Sequence, residues 1–137
     1  ALPLPALLTP HPGEAGRLLG CPTAAVESDR FAAADALAAG YGAPTVLKGA
    51  GAIIASDAGL AVSLGGNSAM ATAGMGDVLA GLTVGLWAQG LLAEAALTAA
   101  VQLHGEAGDR AARHRGPSLL ARDLFDEFGP LLRAWAQ

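Results

Sequence analysis

The sequence predicts an α/β layered domain with a mainly parallel sheet. Two observations lead there. Short β-branched or apolar runs interleave with longer segments of helical periodicity, the arrangement that stacks helices on a sheet. Apolar residues make up 53% of the 137 residues but aromatics only 4%, so the core is built from alanine, leucine and valine. At this length the chain forms one domain at most, long enough to bury a real core.

The elements follow in order. Strands fall at 5–9, 45–48, 52–55 and 61–64, and helices at 13–19, 28–39, 76–89, 92–114 and 121–135. The run Ala6-Leu7-Leu8 suits the end of a buried strand, which Pro10 and Pro12 stop. Glu14 opens a short helix that Gly20 closes. Ser28 reads as the N-cap of the second helix and Gly40 as its stop, with Phe31, Ala34, Leu37 and Ala38 on one face. Thr45-Val46-Leu47 and Ile53-Ile54 are strands around a glycine turn, and Asp57-Ala58-Gly59 signals a hairpin. The helix from Leu91 is apolar along Ala95, Leu97, Val101 and His104, which makes His104 a core or interface histidine. Gly116-Pro117-Ser118 ends that helix. Leu124, Phe128, Leu131 and Trp135 form the apolar stripe of the last one.

Net charge is −4 with no basic cluster, which argues against nucleic acid or an anionic membrane as partner. The single cysteine, Cys21, excludes an internal disulfide and fits a reducing cytoplasm. No uninterrupted apolar run reaches membrane-spanning length.

The most informative stretch is 65–79. Gly74-Met75-Gly76 directly precedes Asp77 and an apolar helical run. Glycines at a helix mouth turn backbone N–H groups toward one point, and the helix dipole adds positive charge there. A phosphate can sit at that point, with Asp77 beside it to take a proton from an attacking hydroxyl. The short pattern also fits a glycine turn with an aspartate N-cap. Two other segments supply context. In Thr9-Pro10-His11-Pro12-Gly13-Glu14, a His and a Glu three residues apart flank a rigid turn that can bind a ligand, or simply cap a helix. In Val46-Leu47-Lys48-Gly49-Ala50-Gly51-Ala52, a strand-end lysine and glycine amides can meet a phosphate, although Lys48 also fits a solvated strand end. Gly49-Ala50-Gly51 is not a dinucleotide fingerprint, because Ile54 stands where the third glycine belongs and a strand follows. No P-loop is present.

In this order the three segments resemble the ADP- or ATP-dependent NAD(P)H-hydrate dehydratases, a branch of the ribokinase-like superfamily. The resemblance continues through Gly66-Asn67, Met70-Ala71-Thr72, Leu103-His104-Gly105 and Gly108-Asp109. It implies a ribokinase-like three-layer α/β/α fold, of which this chain is the C-terminal half. It also implies repair of hydrated NADH or NADPH at the expense of ADP or ATP, with Mg²⁺, in a cytoplasmic homo-oligomer, a tetramer favoured. Asp77 becomes the catalytic base, and His11, Asn67 and Asp77 meet the hydrate. Lys48, Gly49, Ala50, Gly51, Ala52, Gly74, Met75 and Gly76 surround the nucleotide. No acidic cluster offers a dedicated metal cage, so Mg²⁺ is expected to ride on phosphates and water. Ser68-Ala69 and Ala73 replace Pro-Gly and Gly of the family pattern. A positive φ at Ala69 or Ala73 would cost about 1 kcal/mol. The rival readings are a kinase for a hydroxymethyl-pyrimidine or small sugar, and a nucleotide-binding or assembly module without turnover.

Overall fold

The computed structural model describes residues 5–136. Six helices, α1 (Pro12–Leu19), α2 (Thr23–Ser28), α3 (Arg30–Tyr41), α4 (Met75–Ala88), α5 (Ala93–Arg115) and α6 (Phe125–Trp135), accompany three strands, β1 (Thr45–Leu47), β2 (Ile53–Ser56) and β3 (Gly59–Val62).

Layering follows from alternation along the strands. Leu47, Ile53 and Ala55 face Ala15, Val26, Ala34 and Leu37 of α1, α2 and α3. Their neighbours Val46 and Ile54 face Leu79 of α4 and Leu97, Ala100 and Val101 of α5. Both sides of the sheet are therefore covered, so β1 is buried at every residue. Each large side chain so enclosed contributes about 1.5–3 kcal/mol. A further core joins α4, α5 and α6 through Met75, Leu103, Leu124, Phe128 and Leu131.

Within the α/β class, the strand pairing differs from the expected mainly parallel sheet. β1, β2 and β3 form an antiparallel meander with Leu47 opposite Ile53 and Ser56 opposite Gly59. The parallel component among the described residues is a single bridge from Leu8 to Thr45, which stands where a strand over 5–9 was expected. The hairpin signal at Asp57 and Ala58 is realised, but β3 starts at Gly59 and lies exposed along its length.

Other differences have local causes. Pro12 does not delay α1. It is the first helical residue, where its missing N–H costs nothing. Helix α2 has no counterpart in the sequence reading, because six residues carry too little periodicity. Ser28 ends α2, and Asp29 instead caps α3 by accepting from the Ala32 amide at 2.9 Å. Gly42, in the left-handed conformation at φ 61°, closes α3 in place of Gly40. Phe31 is exposed, and Ala33, Ala34 and Leu37 make the buried face. On α5 the buried stripe runs through Ala96 rather than the exposed Ala95. The last helical segment divides into a 3₁₀ turn at Ala121–Leu124 and α6, and Trp135 stays partly exposed. No helix among the described residues is long and apolar enough to cross a membrane.

Candidate active site

The site forms where α1, the β1–β2 turn and α4 converge. Gly74, at φ 86°, is the N-cap of α4. The Val78 amide donates to the Gly74 carbonyl at 3.0 Å and closes the first helical turn. The amides of Gly74, Met75, Gly76 and Asp77 thus lack intrahelical acceptors, and the dipole makes that end positive. Positive φ is needed at Gly74 and not at Gly76, which is helical. No non-glycine residue among those described has positive φ, so Ala69 and Ala73 carry no backbone penalty.

His11 caps α1 in a reciprocal box. Its Nδ1 accepts from the Glu14 amide at 3.2 Å, and its own amide donates to Glu14 Oε2 at 2.7 Å. Glu14 then reaches the His11 ring at Nε2, 3.5 Å away, and the Lys48 ammonium at 3.6 Å. Burial alone would raise the Glu14 carboxyl. The His11 amide, then the charges of Lys48 and His11, outweigh it and hold the group below its ordinary 4.5. Lys48 follows β1, with its amide donating to the Pro10 carbonyl at 2.8 Å. Its ammonium lies over the first turn of α4, where a Cβ on Gly76 would come within 2.9 Å of Nζ. All three motifs therefore meet through one side chain.

Asp77 is exposed in the first turn of α4. Among the described residues it enters no ion pair. Gly49 and Gly51 shape the β1–β2 turn at φ 142° and 64°, with Ala50 between them exposed. Ala52 is half-buried against the α4–α5 side of the sheet. Met75 offers its amide to the site and buries its side chain between α5 and α6. Asn67 is held by other partners. Its Oδ1 accepts from the Ala69 amide at 3.0 Å, and its Nδ2 donates to Asp109 Oδ1 at 2.8 Å.

Helix α5 backs the whole arrangement. Asp109 also accepts from the Gly66 amide at 3.0 Å. His104 Nε2 lies 3.0 Å from the Met75 carbonyl, so this nitrogen carries the proton. Burial pushes the His104 pKa below 6.5 against the opposing pull of that hydrogen bond, and Lys48 adds to the lowering. The core reading of His104 is thus realised with a definite role, fixing the start of α4. Sequence reasoning paired Glu14 with His11 as ligand-binding or helix-capping groups, and did not single out Arg30 or Asp109 as site groups. Glu14 and Asp109 lay inside the matching segments. Arg30 gave no signal, because its partners are 17 to 20 residues away.

A glycine-opened helix start beside a strand-end lysine has the local geometry of an anion site on an α/β domain. A ribokinase-like superfamily protein of Enterococcus faecalis superposes with a TM-score of 0.85 at 30% identity, over 98% of this chain and 47% of that one. The ADP/ATP-dependent NAD(P)H-hydrate dehydratase of Bacillus subtilis, co-crystallized with ATP/Mg²⁺, gives 0.88 at 32% identity over 95% of this chain and 48% of its own. The fold is therefore ribokinase-like α/β. The family model of the NAD(P)H-hydrate dehydratases matches residues 3–129. The bifunctional NAD(P)H-hydrate repair enzyme of Vibrio cholerae is 46% identical over 127 residues, 92% of this chain. The chain belongs to the NAD(P)H-hydrate dehydratase family. It spans 26% of the Vibrio protein and about half of the Bacillus chain.

Proposed function

We propose that this chain acts in the ADP- or ATP-dependent dehydration of hydrated NADH or NADPH, a hydro-lyase reaction. The observation that carries this reading is Lys48, which joins Glu14 of the first motif to Gly76 of the third.

A ring hydroxyl leaves poorly as hydroxide and readily as phosphate. Asp77 accepts the hydroxyl proton while that oxygen attacks the terminal phosphorus of the nucleotide, and the bond to the nucleotide's bridging oxygen breaks. The ring C–O bond of that ester then breaks, phosphate departs with the electron pair, the adjacent carbon gives its proton to water and the ring double bond returns. Amides of Gly74, Met75 and Gly76 steady the charge on the transferring group, a role worth roughly 3–4 kcal/mol per donor in comparable sites. Lys48, Gly49, Ala50, Gly51 and Ala52 hold the nucleotide phosphates, while His11 and Asn67 orient the hydrate. The open amides and the Lys48 ammonium fit a polyphosphate. No group of three or more His, Cys, Asp or Glu side chains is placed to hold a metal among the described residues. Mg²⁺ brought in with the nucleotide would supply charge neutralisation there, with no side-chain cage needed.

In this reading residues 1–137 are a single, partial ribokinase-like domain of a cytoplasmic homo-oligomer, with a tetramer favoured. Exposed Phe125, Leu132 and Trp135 on α6 support burial between subunits. Sedimentation equilibrium of the protein encoded by the native gene tests the assembly, and a monomer overturns it.

The activity test supplies hydrated NADH with Mg-ADP, or with Mg-ATP, and follows nicotinamide absorbance together with AMP or ADP release. One NADH per nucleotide consumed is the expected stoichiometry. Nucleotide consumption without NADH marks a kinase, and neither signal marks a binding module. Each of those two results overturns the proposal.

A further inference from the structure

Arg30 stands first in α3, yet its side chain serves a distant turn. Nη1 donates to the Ala50 carbonyl at 2.6 Å, and Nη2 to the carbonyls of Lys48 and Leu47 at 3.3 and 3.4 Å. Among the described residues no carboxylate pairs with it. Its Nε is buried without a hydrogen-bond partner, an arrangement that costs stability. Gly49 makes the close approach possible. At φ 142° a Cβ would sit 2.8 Å from Nη2.

The consequence lies on the far side of the turn. In a trans peptide the carbonyl and the following amide point in opposite directions. Drawing the carbonyls of Lys48 and Ala50 toward Arg30 turns the amides of Gly49 and Gly51 away from it. Neither amide makes a backbone hydrogen bond outside regular elements among the described residues, and both residues are exposed. The Lys48 amide is meanwhile anchored on Pro10.

We propose that Arg30 is a positioning residue for nucleotide. By gathering three carbonyls it preorganises the 48–51 turn, so that two open amides and the Lys48 ammonium are ready for a phosphate chain. This rests on the nucleotide-dependent reading given above.

Calorimetry of Mg-ADP against the protein encoded by the native gene, Arg30→Met and Arg30→Lys provides the test. Both variants are expected to raise the dissociation constant about tenfold or more, the lysine because a point charge cannot reproduce the fork. In turnover the loss appears in the nucleotide KM and not in kcat. Methylguanidinium added to Arg30→Ala restores affinity. In the ligand-free protein, order parameters of the Gly49 and Gly51 amides fall in the variants. If Arg30→Met does not fold, Arg30→Gln, which keeps a polar stem and loses the fork, is expected to show the same loss of affinity. Native affinity in the variants together with unchanged amide order overturns the proposal. An unsubstituted protein that binds no Mg-ADP overturns the nucleotide reading instead, and the amide order then decides whether Arg30 sets the turn.

Discussion

The Lys48 ammonium lies 3.6 Å from the Glu14 carboxylate and directly over the positive end of α4. A cation at a helix N-terminus is unfavourable by itself. Glu14 offsets part of that cost, and an incoming phosphate would offset the rest. The pair thus holds a positive centre in readiness at the mouth of a helix, and three of the following predictions probe what surrounds it.

Asp77→Asn is expected to lower kcat by about 10²–10⁴ while leaving Mg-ADP affinity within about threefold. Asp77 is exposed and enters no ion pair among the described residues, and asparagine keeps its shape, so the substitution removes a proton acceptor with little structural change. Steady-state rates and calorimetry on the same preparation check both halves. A kcat near the native value would remove Asp77 from the chemistry.

Gly76→Ala and Gly74→Ala are expected to separate binding from stability. Gly76 is helical, so alanine fits the backbone, but its Cβ must displace Lys48 Nζ from 2.9 Å. Mg-ADP affinity falls about tenfold or more, while the melting temperature stays within a few degrees. Gly74 sits at φ 86° with Ala121 Cβ 3.2 Å from the added carbon. Alanine there costs about 1 kcal/mol or more of stability. Equal affinities for the native protein and Gly76→Ala would place the nucleotide elsewhere.

The α/β layering and the convergence on α4 were legible because each rests on short-range signals. Alternation in Val46-Leu47 and Ile53-Ile54 marks two buried faces, and Gly74 before Asp77 marks a helix start. Strand direction was not legible, since β-branched runs look alike whether they pair parallel or antiparallel. Helix ends shifted by one or two residues where two candidates competed, as with Ser28 against Asp29 and Gly40 against Gly42. Arg30 and Asp109 act on partners far along the chain, and no local pattern announces a guanidinium that serves a turn some 20 residues on.

His104 predicts a pH dependence of stability. Burial lowers its folded pKa below the 6.5 of the unfolded chain. As pH falls through 6.5 the unfolded state gains a proton that the folded state refuses. Stability is therefore full above that value and declines below it, until the folded pKa is reached. Thermal melts between about pH 7.5 and about pH 5.5 should show this decline in the native protein and a shallower one in His104→Gln. Parallel profiles for the two proteins would exclude His104 as the source.

The glycines of α5 and α4 give predictions of opposite sign. Gly105 is buried, and a Cβ on it would lie 2.9 Å from the Gly65 carbonyl carbon and 3.1 Å from its Cα. These are backbone atoms and cannot swing aside. The Gly65 strand-to-loop segment must then move, and with it the Gly66 and Asn67 hydrogen bonds to Asp109. Gly105→Ala is expected to cost about 1–3 kcal/mol. Gly81 and Gly85 are exposed in the middle of α4, with nothing near the position of an added Cβ. Alanine at either reduces the freedom of the unfolded chain without a clash, for a gain of about 0.5–1 kcal/mol. Urea unfolding of the three variants with unchanged m-values measures both signs. A neutral Gly105→Ala would mean that α5 can retreat from the loop, and that the contact with Gly65 does not fix the Asn67 segment in place.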